Sequence, residues 1–209
     1  MRLQRIVYVV DDDSLSRDWV CEVIAMLPDV AAVQIDSGAA FLDRLADLAP
    51  GVVLIDLKMP ELSGLDVLAR YRDQLDRLPT IMMSIAGDIP AVVEAMRMGS
   101  LDFLQKPCTP RALLEKLNLG FAELERYRRS YAARGALQAR FAALSDRETE
   151  VLRYLIEGKV NREIAAMLQL SVRTVEVYRA KLMMKLGVDS LAEAVRLAIA
   201  SGFVRAEAA

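Results

Sequence analysis

The stretch "GVVLIDLKMPELSG", Gly51–Gly64, decides how the chain reads. Val52, Val53, Leu54 and Ile55 form a short apolar run with no polar alternation. Such a run predicts a strand buried on both faces, which needs helices on both sides of its sheet and parallel neighbours. The run ends on a carboxylate, Asp56, with Lys58 and Met59-Pro60 close behind.

Working outward, further apolar runs predict strands over Arg5–Val10, Val30–Ile35, Thr80–Ser84 and Asp102–Gln105, with the central one at Val52–Ile55. Amphipathic stretches between them predict helices over 14–27, 38–48, 64–76, 90–99 and from 110 onward. Strand–helix alternation of this kind predicts an α/β domain, a five-stranded doubly wound parallel sheet, over residues 1–125. In such sheets ligands bind beyond the carboxyl ends of the strands.

From Pro110 a helical pattern continues, with Leu113, Leu117, Leu124 and Tyr131 on one face and arginines between them. It predicts a long linker helix, covering residues 126–143 once it leaves the first domain. Gly120 and Gly135 read as weak points, each costing ~1 kcal/mol relative to alanine, and the sequence leaves open whether the helix is continuous across Gly135. Residues 144–209 read as helices only. "SDRE" (Ser145–Glu148) and "SLAE" (Ser190–Glu193) both fit a capping box and open helices over 146–157 and 191–201, with Gly158 and Gly202 as C-caps. Asn161–Leu168 and Val172–Leu186 read as a short and a long helix, completing an all-α four-helix domain. Leu152, Leu155, Ile156, Ile164, Leu168, Val175, Leu182, Leu186, Val195 and Leu197 supply its core.

The net charge of −2 conceals an asymmetry: residues 1–109 carry −7, residues 110–140 carry +4 and residues 141–209 carry +1. An acidic front and a more basic back suggest two jobs. With no histidine, a Ser-His-Asp triad is excluded and a histidine-ligated metal site disfavoured. No apolar run approaches the ~18 residues of a membrane helix. No signal peptide is read, so Cys21 and Cys108 are expected as free thiols and the protein in the cytoplasm, away from any membrane.

Chemistry-bearing residues gather at strand ends. Asp11 and Asp12 follow the first strand, Asp56 the third, Ser84 ends the fourth, and Lys106 follows the fifth. Each alone reads as turn chemistry, and Asp13 reads as a helix cap. Together the acids would repel one another when bare, and a hard divalent cation such as Mg²⁺ resolves that. A metal, a lysine and a hydroxyl around one carboxylate describe a phosphoryl acceptor with Asp56 as nucleophile. A magnesium-dependent aspartyl phosphatase is the enzymatic alternative. Lys58 stands where such an enzyme needs a second acid, which argues against it.

"VVDDD", "LIDLKMPELSG", "SIAGD" and "DFLQKP" resemble the receiver domain of two-component response regulators, a flavodoxin-like fold. The resemblance implies Asp56 as phosphorylation site and Asp11, Asp12, Asp56 and the Lys58 carbonyl as Mg²⁺ ligands. It also implies Ser84 as switch hydroxyl, Phe103 as switch aromatic, Lys106 as the charge-neutralising lysine, and a cis Lys106–Pro107 bond. Ile85 departs from the small residue usual after the switch hydroxyl and bears on the rates of phosphorylation and dephosphorylation.

In the back half "AAMLQLSVRTVEVYRAKL" reads as helix, turn, helix, with four cations against Glu176 from Ser171 to Lys185. The second helix is the candidate for a DNA major groove. Arg173, Thr174, Lys181 and Lys185 are expected on phosphates, and Glu176, Val177, Arg179 and Ala180 on base edges. A helical module that docks proteins instead of DNA is the alternative here. "LSDRETEVL", "EGKVNREIAAML" and "SVRTVEVYRAKLMMKLGV" closely resemble the LuxR-type DNA-binding domain, with departures at Val160 and Tyr178. Taken together, the chain resembles response regulators of the FixJ/NarL class, and "GDIPAVVEAMRMGSLDFLQKP" leans toward the FixJ subgroup. The resemblance implies a DNA-binding transcription regulator, no enzyme beyond turnover of its own aspartyl phosphate. Its expected partners are a sensor histidine kinase, promoter DNA, a second copy when phosphorylated, and RNA polymerase.

Overall fold

The computed structural model describes residues 5–85 and 89–204. The chain divides into two compact units, residues 1–128 and 129–209, with the division inside one helix. The first unit holds strands β1 (Arg5–Val10), β2 (Val30–Ile35), β3 (Val52–Asp56), β4 (Thr80–Ile85) and β5 (Asp102–Lys106). All pair in parallel, in the order β2-β1-β3-β4-β5. Helices α1 (Ser14–Ile24), α2 (Gly38–Arg44), α3 (Gly64–Tyr71), α4 (Ile89–Arg97) and α5 (Pro110–Ala142) connect or follow them.

The period of two along each strand sends alternate side chains to opposite faces. Tyr8, Val10, Val53, Ile55 and Met82 pack with Phe41 of α2, Val67, Leu68 and Tyr71 of α3, and Ala95 of α4. Val7, Val9, Val52, Leu54, Ile81, Met83 and Leu104 pack with Val20, Val23 and Ile24 of α1 and Leu113, Leu117 and Phe121 of α5. Every residue of β3 is buried, as its unbroken apolar run predicts. The strand therefore delivers Asp56 to the sheet's edge on a backbone fixed from both sides.

Helix ends differ from the pattern-based expectation. α1 stops at Ile24, because Pro28 disfavours helical geometry at Leu27. α2 gives way to tight i→i+3 bonds, Leu45 to Leu42 and Asp47 to Arg44. α3 runs into a 3-10 turn over Arg72–Gln74. α5 is one helix across Gly135, which settles a continuity the sequence left open. Its Leu113, Leu117 and Leu124 are buried as expected, whereas Tyr131 is 67% exposed.

Two glycines are demanded by close approach. A Cβ on Gly120 would lie 2.7 Å from a methyl of Val52, so α5 packs on the sheet at a distance only glycine allows. A Cβ on Gly64 would lie 2.4 Å from the Asp56 carbonyl oxygen, so α3 can begin directly against the end of β3.

In the second unit, α6 (Asp146–Ile156), α7 (Asn161–Leu168), α8 (Val172–Leu186) and α9 (Leu191–Ser201) enclose Leu152, Leu155, Ile164, Val175, Leu182 and Leu186, joined by Phe141, Leu144 and Val151. Ser145 and Glu148 form the reciprocal capping box. At α9 only half of that box forms: Ser190 accepts from the Glu193 amide, while the Glu193 carboxylate accepts from Asp189. Gly202 caps α9 in the left-handed region.

Candidate functional site

At the carboxyl edge of the sheet the Lys106 ammonium donates to two carboxylates, Asp11 Oδ2 at 2.6 Å and Asp56 Oδ1. The Lys106–Pro107 bond is cis. Asp11 is held in place by further donors: the Asp13 amide at 3.0 Å, the Ser16 hydroxyl at 2.7 Å, and Arg17 on its backbone carbonyl at 2.6 Å. The other oxygen of Asp56 accepts the Lys58 amide at 2.7 Å. Asp13 caps α1 through the Leu15 amide, as its sequence context predicts.

Both acids are nearly closed to solvent, with Asp11 1% and Asp56 7% exposed. Burial pushes the Asp56 carboxyl up and the charge of Asp11 adds to this, while Lys106 pulls it down. Burial alone would lower Lys106. The paired carboxylates outweigh it and hold the ammonium above its ordinary value. Two buried carboxylates against one ammonium leave one negative charge uncompensated.

Asp12 is exposed and stays outside this cluster. Among the described residues no three acidic or thiol side chains stand close enough to hold a metal. The expected gathering of Asp11, Asp12 and Asp56 therefore reduces to Asp11 and Asp56 around Lys106. Both acids lie beyond the last residue of β1; Asp11 is drawn in by Lys106, the Ser16 hydroxyl and the Asp13 amide, while Asp12 is left open to solvent.

Ser84 is buried at the end of β4, beside Gln105 in register, and its hydroxyl donates to the Ile85 carbonyl at 3.1 Å. Phe103 is 39% exposed on β5, an edge strand in which only Leu104 is fully buried. The Lys116 ammonium lies 5.9 Å from its ring and 2.6 Å from Asp102. Ile85 is exposed and, with Trp19, Val20, Met83, Lys106, Pro107 and Cys108, lines a cavity of about 420 Å³.

In the second unit α8 turns Val175, Leu182 and Leu186 inward. Arg173, Glu176, Val177, Ala180 and Lys181 are exposed and recur at spacings of three and four, so they share the outward face. Thr174 is spent on the helix cap, its hydroxyl 2.7 Å from that of Ser171. Two expectations need correction. Arg179 is half-buried, 3.5 Å from Asn161 Oδ1 on α7, so it leaves the face assigned to base edges. Lys185 donates to buried Glu148 at 2.6 Å and to the Ala143 carbonyl at 3.0 Å, so its charge ties α8 to α6 and is not free for phosphate.

A profile of the response regulator receiver domain matches residues 7–118, and one of the luxR family of bacterial regulatory proteins matches residues 142–198. Over 201 residues the chain is 39% identical to the transcriptional regulatory protein FixJ of Bradyrhizobium diazoefficiens, covering 95% of this chain and 96% of that one. The chain belongs to the response regulators. It joins a receiver to a LuxR-type DNA-binding domain, in a family of transcription regulators of two-component systems whose architecture implies a kinase partner and DNA. FixJ of Rhizobium meliloti is 35% identical over 197 residues, covering 94% of this chain and 96% of the relative. Among solved structures, the response regulator StyR matches this one with a TM-score of 0.74 at 31% identity, over 93% of this chain and 98% of StyR. Full-length FixJ from B. japonicum gives 0.58 at 37% identity, over 97% and 99%. No helix among the described residues of this response regulator is long and apolar enough to cross a membrane.

Sequence reasoning missed Ser16 and Arg17, which orient Asp11 from the first turns of α1. The signal was present in "DDDSLSR", where both lie one helical turn beyond the acids. It also missed Met184, 75% exposed and one turn past Ala180 on the outward face of α8.

Proposed function

We propose that this response regulator is switched by transfer of a phosphoryl group from a sensor histidine kinase to Asp56. The observation that carries the reading is the bridge from Lys106 to buried Asp11 and Asp56, three residues brought together from the ends of β1, β3 and β5. An oxygen of the Asp56 carboxylate attacks phosphorus, the bond to the donor imidazole breaks, and an acyl phosphate forms. Lys106 balances charge on the transferred group, and the Lys58 amide fixes the carboxylate's rotamer. The chain's catalysis extends to gaining and losing this one phosphate.

Receivers generally bind Mg²⁺ at their acidic pocket. The donors here fit that ion: all are oxygens, and the pocket holds an uncompensated negative charge. Asp11, Asp56 and the Lys58 carbonyl would hold it, with exposed Asp12 reaching it through bound water. When bound it supplies positive charge against the phosphoryl oxygens.

Phosphorylation draws the Ser84 hydroxyl from the Ile85 carbonyl toward the new phosphate, and Phe103 moves from its exposed position into the space released. The surface built by α4, β5 and the start of α5 then favours a homodimer. Residues 1–125 form the receiver, 126–143 the linker and 144–209 the DNA-binding domain. Arg173 and Lys181 contact phosphates, Thr174 positions the N-terminus of α8, and Glu176, Val177 and Ala180 meet base edges. The DNA-bound dimer acts in the cytoplasm on transcription by RNA polymerase.

Intact-mass measurement after exposure to a small phosphodonor tests the first step. Wild type gains one phosphoryl mass that alkaline hydroxylamine removes, and Asp56→Asn gains none. Equal labelling of both proteins would remove Asp56 from its role.

A further inference from the structure

The cavity of about 420 Å³ in the first unit has no part in the chemistry described so far. Its walls are apolar: buried Val20 and Met83, half-buried Trp19, and exposed Ile85 and Pro107. Cys108 completes them and packs, like Trp19, against the core between the sheet, α1 and α5. The one charged residue in the lining is Lys106, the same side chain that donates to Asp56. Ser16, whose hydroxyl holds Asp11 at 2.7 Å, lines the cavity as well. Met83 pairs in register with Asp56, so one wall of the cavity stands a single strand away from the nucleophile.

A cavity of about 150 Å³ is enough to hold a benzene molecule, and small-molecule sites span about 300–1,000 Å³. This one is therefore large enough for a hydrocarbon group well beyond a methyl. Water is poorly served in it, because a bound water needs about two to four polar partners and the apolar walls supply none. The lining suits an amphipathic molecule, with its charged end at Lys106 and its apolar end among Trp19, Val20 and Ile85. Phosphoryl transfer to a carboxylate makes a mixed anhydride, so a small donor must be comparably activated, as an acyl phosphate is. The group that departs from such a donor is a carboxylate with a hydrocarbon tail.

We infer that this cavity is a subsite for the leaving group of small phosphodonors and selects acyl phosphates with an aromatic hydrocarbon part. This rests on Asp56 as phosphoryl acceptor, proposed above, and adds a substrate class to it. An oxygen of Asp56 attacks phosphorus, the bond from phosphorus to the acyl oxygen breaks, and the carboxylate leaves with the electron pair. No proton has to move. Trp19, Ile85 and Cys108 set specificity through the hydrocarbon and do not touch the reacting atoms.

The test is the rate at which acetyl phosphate and benzoyl phosphate label the full chain in magnesium buffer, followed by intact mass. The ratio of the two rate constants, benzoyl over acetyl, is compared between proteins, so the donors' intrinsic reactivities cancel. Filling the cavity with Cys108→Phe should lower that ratio about tenfold or more from wild type, the discrimination a hydrocarbon pocket provides. Cys108→Ser, which conserves volume, should keep it. Ile85→Ala, at a position 53% exposed where truncation spares the fold, should lower it about fourfold, the worth of one buried methylene. A second readout involves no transfer: benzoate, and not acetate, should alter the fluorescence of Trp19, the chain's single tryptophan, in wild type and Asp56→Asn alike. Cys108→Phe should abolish that response. If wild type, Cys108→Phe and Ile85→Ala share one ratio and benzoate leaves Trp19 unchanged, the subsite is refuted while Asp56 remains the acceptor. If neither donor labels wild type, or both label Asp56→Asn equally, the phosphoryl reading itself falls and the subsite with it.

Discussion

Asp56 is held in a state that opposes the fold. Its carboxyl is pushed above the ordinary value of about 3.9 by burial, so the ionised form is disfavoured by folding. The sign follows from proton binding: between the unfolded and folded values the native state holds more protons. Asp56 by itself therefore makes the protein less stable as pH rises through its folded value, and the loss persists at neutral pH. Asp56→Asn should raise receiver stability at pH 7 by about 1 kcal/mol, read by urea denaturation, since Lys106 keeps Asp11. A fall in stability would mean that the Lys106 pair outweighs burial. Lys106→Ala should act oppositely, costing roughly 3 kcal/mol by leaving two buried carboxylates together. Lys106 is itself held above its usual value, so its contribution is complete below about pH 10 and lost only above it. In the double variant with Asp56→Asn, part of the cost of Lys106→Ala should return, because the repulsion is gone.

At the scale of elements, what decides stability is whether partners distant in sequence agree. The central strands β1, β3 and β4 were legible because burial on both faces writes a continuous apolar run, and α6, α8 and α9 because periodicity and serine caps mark them. Gly120 was misread as a weak point. Nothing local says that Val52 lies against it, 68 positions away along the chain. Gly120→Ala should cost about 1–3 kcal/mol despite alanine's better helix propensity, because the new methyl overpacks against Val52. Adding Val52→Ala should recover part of it as a positive coupling in a double-mutant cycle, and strict additivity would show that the contact is not the cause. Lys185 was misread for the same reason. Its charge suited a phosphate until Glu148, 37 residues away, claimed it. Lys185 and the Ser145 amide hold the Glu148 carboxyl below its usual range. This group's stabilisation is therefore full above about pH 4.5 and lost as pH falls through the depressed value. Glu148→Gln should destabilise the second unit by about 1–3 kcal/mol at pH 7 and flatten that acid limb in a pH series of denaturant melts. At the receiver site, the strand ends pointed to Asp11, Asp56, Ser84 and Lys106, and the structure brings Asp11, Asp56 and Lys106 into contact. They did not separate Asp11 from Asp12, since both belong to one run of acids and the partners that draw Asp11 inward, Ser16 and Lys106, are not legible from that run.

For the whole molecule, the two units have separate cores and opposite tasks, and a phosphoryl group on one must change DNA affinity at the other. Coupling between sites is typically worth about 1–3 kcal/mol, or about 5–150-fold in affinity. Two routes give such a gain and differ in their dependence on salt. If phosphorylation only frees a single DNA-binding domain, the number of phosphates neutralised per bound complex is unchanged. Affinity then rises by a constant factor at every ionic strength. If it assembles a dimer on paired half-sites about one helical turn apart, the phosphate contacts double. The salt slope, about 0.9 per contact, doubles with them. We expect the second outcome: with a phosphodonor present, the slope on a duplex carrying two half-sites should be about twice that on a single half-site, and Asp56→Asn should keep the shallow slope on both. Because a steeper slope gains most at low salt, the benefit of phosphorylation should itself shrink as salt rises. A phosphorylation-dependent gain that is constant across the titration would place the switch in domain release and leave dimerisation without a part in DNA binding.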